Sequence, residues 1–215
     1  MKLAESSHRE IAMRRLDDVS RRLLDQSGPI DFRFARSEAE RDAVFKLRNR
    51  VVSERGWGAS ERPLDGREHD EYDFDALHAV GTRDGVPMAT SRLIFPRPGR
   101  LLPTEEVFDL IVHPAGEVVD VGRLIVAREV DPPHHAVFWQ LLALIWLELR
   151  DRGFCRVCGA NTTSMIRLFE SMGFEVKPLG SGREYWGALR IPIVMDVGAS
   201  AGTIADRAAA YMSLE

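Results

Sequence analysis

Residues 136 to 150, Ala-Val-Phe-Trp-Gln-Leu-Leu-Ala-Leu-Ile-Trp-Leu-Glu-Leu-Arg, read as a helix that is apolar on nearly every face. Such a helix has no side it can leave in water, so other layers of the chain must enclose it. Phe138, Leu141, Leu142, Ile145 and Leu149 form its most regular stripe. The run falls short of the about 18 apolar residues of a membrane span, and no other stretch reaches that length, so the enclosing layers have to come from the protein itself. With 215 residues, 45% of them hydrophobic, there is enough chain for one α/β core.

The rest of the sequence supplies those layers. Residues 5 to 25 suggest an amphipathic N-terminal helix with Ile11, Leu16, Val19, Leu23 and Leu24 on one stripe, closed by Gly28-Pro29. A strand at Phe32–Phe34 leads into a helix opened by the capping box Ser37-x-x-Glu40. Residues 56 to 74 are polar, acidic and aromatic and read as a loop. Strands over 76–82 and 86–95 are joined by Asp84-Gly85, a two-residue hairpin signal. A short helical piece over 107–111, a buried strand over 118–126, the apolar helix, a strand over 155–160, a helix over 163–172 and strands near 174–178 and 185–194 complete the order. We divide the chain into a helical extension (1–30), one mixed α/β domain (31–198) and a helical tail (199–215). The extension suits either dimerisation or a lid.

Net charge and cysteine usage narrow the function. A formal charge of −4 argues against nucleic acid as the main partner, because phosphate binding needs clustered Lys and Arg. The N-terminus lacks the apolar run of a signal peptide, which places the protein in the cytoplasm by expectation. Cys155 and Cys158 supply only half of a tetrahedral zinc site and read as buried strand residues, so no metal is expected.

The chain resembles the GNAT superfamily in its order of elements and in the run Ile166-Arg167-Leu168-Phe169-Glu170-Ser171-Met172-Gly173-Phe174. A narrower resemblance, to acyl-homoserine-lactone synthases and N-acyl amino acid synthases, rests on an ordered set. It comprises Arg41-x-x-x-Phe45, Trp57, Glu68-His69-Asp70-Glu71-Tyr72-Asp73, Arg92-Leu93, Phe108 and Asp120-Val121-Gly122-Arg123. It implies a mixed, mostly antiparallel twisted sheet flanked by helices. It also implies an N-acyltransferase that moves a fatty acyl group from acyl carrier protein, with acyl-CoA as the other donor, to the amine of a small metabolite, without a bound cofactor. The acceptor is S-adenosylmethionine or an amino acid. The lactone synthases usually have Glu-x-Ser-Arg where this chain has Asp120 and Gly122, which favours the amino acid. CoA-dependent N-acetyltransferases hold pyrophosphate on a glycine-rich turn, whereas Arg128-Glu129-Val130-Asp131-Pro132-Pro133 has no glycine and two prolines without N–H donors, which disfavours CoA bound in the usual way.

The resemblance places Asp120, Arg123 and Glu68 in catalysis, with Asp120 taking a proton from the ammonium; a structural Asp120–Arg123 pair is the other reading. Residues three apart on a regular strand point to opposite faces, so a shared site requires a β-bulge near Gly122, which would also free a backbone N–H for the thioester oxygen. Arg41, Phe45, Trp57, Asp70, Asp73, Arg92 and Phe108 are expected to bind substrate, with the acidic loop locked against Arg41 and Arg92; a solvated acidic loop is the alternative. His78 is either a proton-transfer aid or a structural strand residue. An acyl pocket is expected from Leu124, Phe138, Leu142 and Trp146, all of which also suit plain core. Arg150, Arg152, Arg156 and Arg167 are the candidate docking patch for the acidic carrier protein, or else scattered solubilising charges. A non-catalytic relative that binds an acyl or amine ligand is the reading from another class.

Overall fold

The computed structural model describes residues 2–57, 65–128 and 134–213. Its helices are α1 (Lys2–Asp25), α2 (Glu38–Glu54), α3 (Pro103–Phe108), α4 (His134–Asp151), α5 (Thr163–Ser171) and α6 (Val197–Met212). The strands are β1 (Asp31–Phe34), β2 (Leu77–Arg83), β3 (Val86–Ile94), β4 (Val118–Val126), β5 (Arg156–Asn161), β6 (Val176–Pro178), β7 (Arg183–Tyr185) and β8 (Ala188–Asp196). They form one eight-stranded sheet in the order β1-β2-β3-β4-β5-β8-β6, with β7 paired to β8. Among the described residues only the β4–β5 pairing is parallel. This is the mixed, mostly antiparallel α/β sheet expected.

The local chemistry explains most boundaries. Ser37 accepts from Glu40 N–H and Glu40 reaches back to the Ser37 N–H, so α2 begins with both orphan donors satisfied. Asp84 and Gly85 both take positive φ, 52° and 77°, as a tight primed turn between twisted strands requires. Two expectations are corrected. The helical piece placed at 107–111 lies earlier, from Pro103, whose fixed φ suits a first helical turn, and it stops where Asp109 turns left-handed at φ 53°. The single strand read over 185–194 is a hairpin, because Trp186 and Gly187 turn at φ 57° and 66°.

Helix α4 is enclosed as its composition demands, with Val137, Leu141 and Leu149 at most 1% exposed. The sheet covers one side and α1, itself packed on α6, covers another. Met13, Leu16, Val19 and Leu23 of α1 and Ile204, Ala205 and Ala208 of α6 belong to the same buried cluster as the sheet. At about 1.5–3 kcal/mol per enclosed aliphatic side chain, α1 contributes substantially to holding α4 in place.

Strand β4 departs from the uniformly buried strand expected. Its ends are buried while Val121 to Leu124 are half-exposed, and they face a cavity. Pairing with β5 stops at Asp120–Cys158. There Gly159 is obligatory, since a Cβ would sit 2.7 Å from the Val121 carbonyl oxygen. Beyond that point the two strands part, and the opening between them leads inward.

Candidate active site

The opening exists because β4 is bulged. Thr90 pairs with Ile125 but Arg92 pairs with Gly122, so Ser91 faces two residues, Arg123 and Leu124. Arg123 absorbs the kink with a left-handed φ of 53°, and Ser91 Oγ donates to the Gly122 carbonyl at 3.1 Å. The irregularity lies one residue beyond Gly122. With it, Asp120 and Arg123 line one cavity although three residues apart.

Asp120 is 4% exposed. It accepts the Thr104 backbone N–H at 2.8 Å and lies 3.7 Å from Cys158 Sγ. Burial raises its pKa above the usual carboxylate range, and the hydrogen bonds from Thr104 offset only part of that. The group is therefore a stronger base than an exposed aspartate. Its partners are Thr104 and Cys158 rather than Arg123, so the alternative of an Asp120–Arg123 pair is set aside. Burial, with Asp120 beside it, pushes the Cys158 thiol up, which makes a thiolate nucleophile unfavourable here.

Three arginines on three elements clamp the acidic loop to the sheet. Arg48 of α2 donates to Glu68 and to Asp73, the latter at 2.7 and 3.2 Å. Arg92 of β3 reaches Asp70 at 2.6 Å and Asp73 at 2.9 Å. Arg123 of β4 reaches Glu68 at 3.0 Å and Asp70 at 3.1 Å. The loop is built for this: Asp70 caps a single 3-10 turn, Glu71–Phe74, by accepting Tyr72 N–H, and its own N–H donates to Asp73 Oδ2 at 2.8 Å. Burial alone would raise the Asp73 pKa, but Arg48 and Arg92 outweigh it and hold the carboxyl well below its usual range. Burial would lower the Arg123 pKa, and Glu68 and Asp70 raise it instead. Asp70, with its side chain 34% exposed, is the most open of the three carboxylates.

Of the two arginines expected to lock this loop, Arg92 does so and Arg41 does not; Arg48 takes its place. A signal existed. Val44, Leu47, Arg48 and Val51 fall on the buried stripe of α2, and an arginine inside an apolar stripe needs a buried acid. Phe45 stacks near His69, His78 and the Arg48 guanidinium. His78 is buried, with Nε2 3.2 Å from the Asp73 carbonyl, and burial lowers its pKa, so it packs as a neutral ring.

The cavity measures about 280 Å³. Its lining includes the partly exposed Arg123, Trp57, Trp186 and Arg190, the buried Asp120 and Arg92, and an inner wall of buried residues, Leu16, Ser20 and Leu23 of α1 with Ile204 and Ala208 of α6. Of the four residues expected to form an acyl pocket, Leu124, Leu142 and Trp146 line this cavity, while Phe138 sits outside the lining, stacked on Phe169. Phe108 is likewise outside it, buried beneath the Arg183 guanidinium. Trp57, Trp186 and three guanidiniums crowd the rim: Arg55 lies 4.9 Å and Arg190 5.7 Å from the Trp57 ring centre, and Arg123 4.1 Å from that of Trp186. Arg55, Trp186 and Arg190 were not singled out in the sequence, where isolated Arg and Trp residues carry no periodic signal.

Among the four arginines proposed for docking, Arg150 pairs with Glu10 and Asp17, Arg152 with Glu148, and Arg156 with Glu117 and Asp196. Arg167 is exposed on α5. No group of three or more His, Cys, Asp or Glu residues placed to hold a metal occurs among the described residues. Most of the segment read against pyrophosphate binding, 129–133, lies outside the described residues. No helix among the described residues is long and apolar enough to cross a membrane.

No family model matches the sequence, and no curated protein is significantly similar to it. Solved structures are. The acyl-homoserine lactone synthase LasI superimposes with a TM-score of 0.69 at 14% identity, over 82% of this chain and 93% of that one. The CoA-dependent acyl-homoserine lactone synthase BjaI, solved with SAM and isopentyl-CoA, gives 0.63 at 24% identity over 78% and 81%. FeeM, an N-acyl amino acid synthase from uncultured soil microbes, gives 0.61 at 13% identity over 80% and 93%. At these identities the likeness is one of fold: this chain is folded like the acyl-homoserine lactone synthases LasI and BjaI and the N-acyl amino acid synthase FeeM.

Proposed function

We propose that this protein is an N-acyltransferase that carries a medium-length fatty acyl group from a thioester, held on acyl carrier protein, to the amine of a small acceptor, an amino acid in preference to S-adenosylmethionine. The observation that carries the reading is the 280 Å³ apolar cavity opening at the bulge beside Asp120. A cavity of about 280 Å³ is far larger than an acetyl group needs and suits a longer acyl tail.

In this reading the acyl tail lies between β4 and α4, with the thioester carbonyl at the kinked strand. Asp120, directly or through a water, takes a proton from the acceptor ammonium. The freed amine attacks the carbonyl and the tetrahedral adduct collapses with cleavage of the C–S bond; of the two protons that leave the nitrogen, the one held by Asp120 goes to the departing thiolate and the other is released to solvent. Arg123 and the backbone N–H groups freed by the bulge face the developing oxyanion. Glu68, Asp70 and Asp73 act through Arg92 and Arg123 by fixing them, with Asp70 open enough to meet the ammonium as well.

The test is product analysis by mass spectrometry after mixing the protein with octanoyl-carrier protein or octanoyl-CoA and a panel of amines including S-adenosylmethionine. An amide product that disappears with Asp120→Asn supports the reading and names the acceptor. Acetylation from acetyl-CoA with no turnover of any octanoyl donor would overturn it.

A further inference from the structure

Beside the cavity one group of arginines is balanced by acids, and another, on the cavity lining, is not. Arg48, Arg92 and Arg123 share Glu68, Asp70 and Asp73, and each of these guanidiniums contacts two of those carboxylates. Arg55 and Arg190 have backbone partners instead: Arg55 donates to the Val126 carbonyl at 3.3 Å and Arg190 to the Tyr185 carbonyl at 3.0 Å. Neither has a carboxylate partner among the described residues. Both line the cavity and both stack on Trp57. Arginine does not shed its proton in proteins, so these charges persist. Burial, together with repulsion from Arg123, disfavours the charge on Arg190 and lowers its pKa, as expected where a counter-ion is missing.

We infer that Arg55 and Arg190, stacked on Trp57, form an oxyanion site at the cavity rim that binds an anionic group of a substrate. A guanidinium pair held beside an indole offers forked N–H donors of the kind that carboxylate and phosphate oxygens take up, and an anion there supplies the counter-charge that Arg190 lacks. Two sources fit that chemistry: the carboxylate of the amine acceptor, or the phosphate of a phosphopantetheine arm that carries the acyl group. The inference rests on the proposed acyl transfer in that the apolar inner cavity anchors the tail of either ligand.

Calorimetry with two ligand pairs separates the cases. N-octanoylglycine is compared with neutral N-ethyloctanamide, and S-octanoyl-phosphopantetheine with S-octanoyl-pantetheine. The wild-type protein should bind the anionic member of one pair about tenfold more tightly, and Arg190→Gln should erase most of that preference, the size expected for truncating one partner of a close charge pair. A preference lost in the glycine pair assigns the site to the acceptor, and one lost in the phosphate pair assigns it to the donor. Equal preferences in wild type and variant overturn the site. If circular dichroism reports that Arg190→Gln is unfolded, Arg55→Gln, at a more exposed position, is judged by the same outcomes. If none of the four ligands binds the wild-type protein, the acyl cavity reading fails, and the oxyanion site fails with it.

Discussion

The arginines gathered at the candidate site fall into two sets that differ in what completes them. Arg48 and Arg92 are about as buried as any side chain in the molecule, at 1% and 2% exposure, and each is closed by two loop carboxylates. Arg55 and Arg190 sit on the same cavity and hold only carbonyl oxygens and an indole face. The first set spends its charge inside the fold and fixes a loop. The second leaves its charge toward the space where a substrate would lie. Residue type alone does not separate positioning from binding; the presence of a counter-ion does.

That contrast predicts a stability difference first. Arg48→Ala leaves Glu68 and Asp73 buried and uncompensated and should cost about 3–5 kcal/mol in urea unfolding, whereas Arg55→Ala should leave the midpoint where it is. Equal losses would erase the distinction.

The two buried aspartates sharpen it by pH. Asp73 has a depressed folded pKa, so its contribution is complete above the unfolded value and disappears as pH falls through the folded one. Asp120 has a raised folded pKa. The folded state therefore keeps a proton that the unfolded state has released, and stability drops as pH climbs from the unfolded to the folded value. Urea midpoints should consequently rise at neutral pH in Asp120→Asn and fall in Asp73→Asn. The Asp120→Asn variant should also lose acyl transfer by about 10²-fold or more, and the wild-type rate should increase with pH as Asp120 loses its proton. A rate insensitive to the substitution would remove Asp120 from the chemistry.

A smaller effect is expected at the dry end. Ser20→Phe fills the inner cavity and should shift the preferred acyl chain to shorter lengths, read from products formed with an equimolar mixture of C4 to C12 donors. Smallest of all, Arg167→Glu should raise KM for acyl carrier protein a few-fold and leave KM for acyl-CoA unchanged, since Arg167 is exposed while Arg150, Arg152 and Arg156 are engaged by acids of the same chain.

Much of the scaffold could be read from local patterns. The Ser37–Glu40 box, the Asp84-Gly85 turn and the all-apolar α4 each had a short-range cause that tertiary structure had no reason to override. The hairpin at Trp186-Gly187 was missed because a bulky residue at positive φ contradicts its own preference, and only the glycine hinted at a turn. In the site, the need for a bulge followed from the strand period, since Asp120 and Arg123 could not otherwise face one space. The choice of Arg48 over Arg41 depended on which face of α2 is covered, a question for packing rather than spacing. Arg55 and Arg190 come from elements far apart in the chain, and nothing local announces that they meet at Trp57.

The floor of the cavity has a consequence of a different kind. Leu16, Ser20 and Leu23 are supplied by the first helix, while the proton-handling and charged groups lie between Arg48 and Arg190. If the chain acts as proposed, part of what sets acyl reach lies in a stretch of chain separate from the reactive groups. On the proposed reading, substitutions confined to the cavity face of the first helix would alter how long a tail is admitted while leaving the groups around the thioester in place, so a lineage of such proteins could diversify its products by editing a helix that takes no part in making the bond.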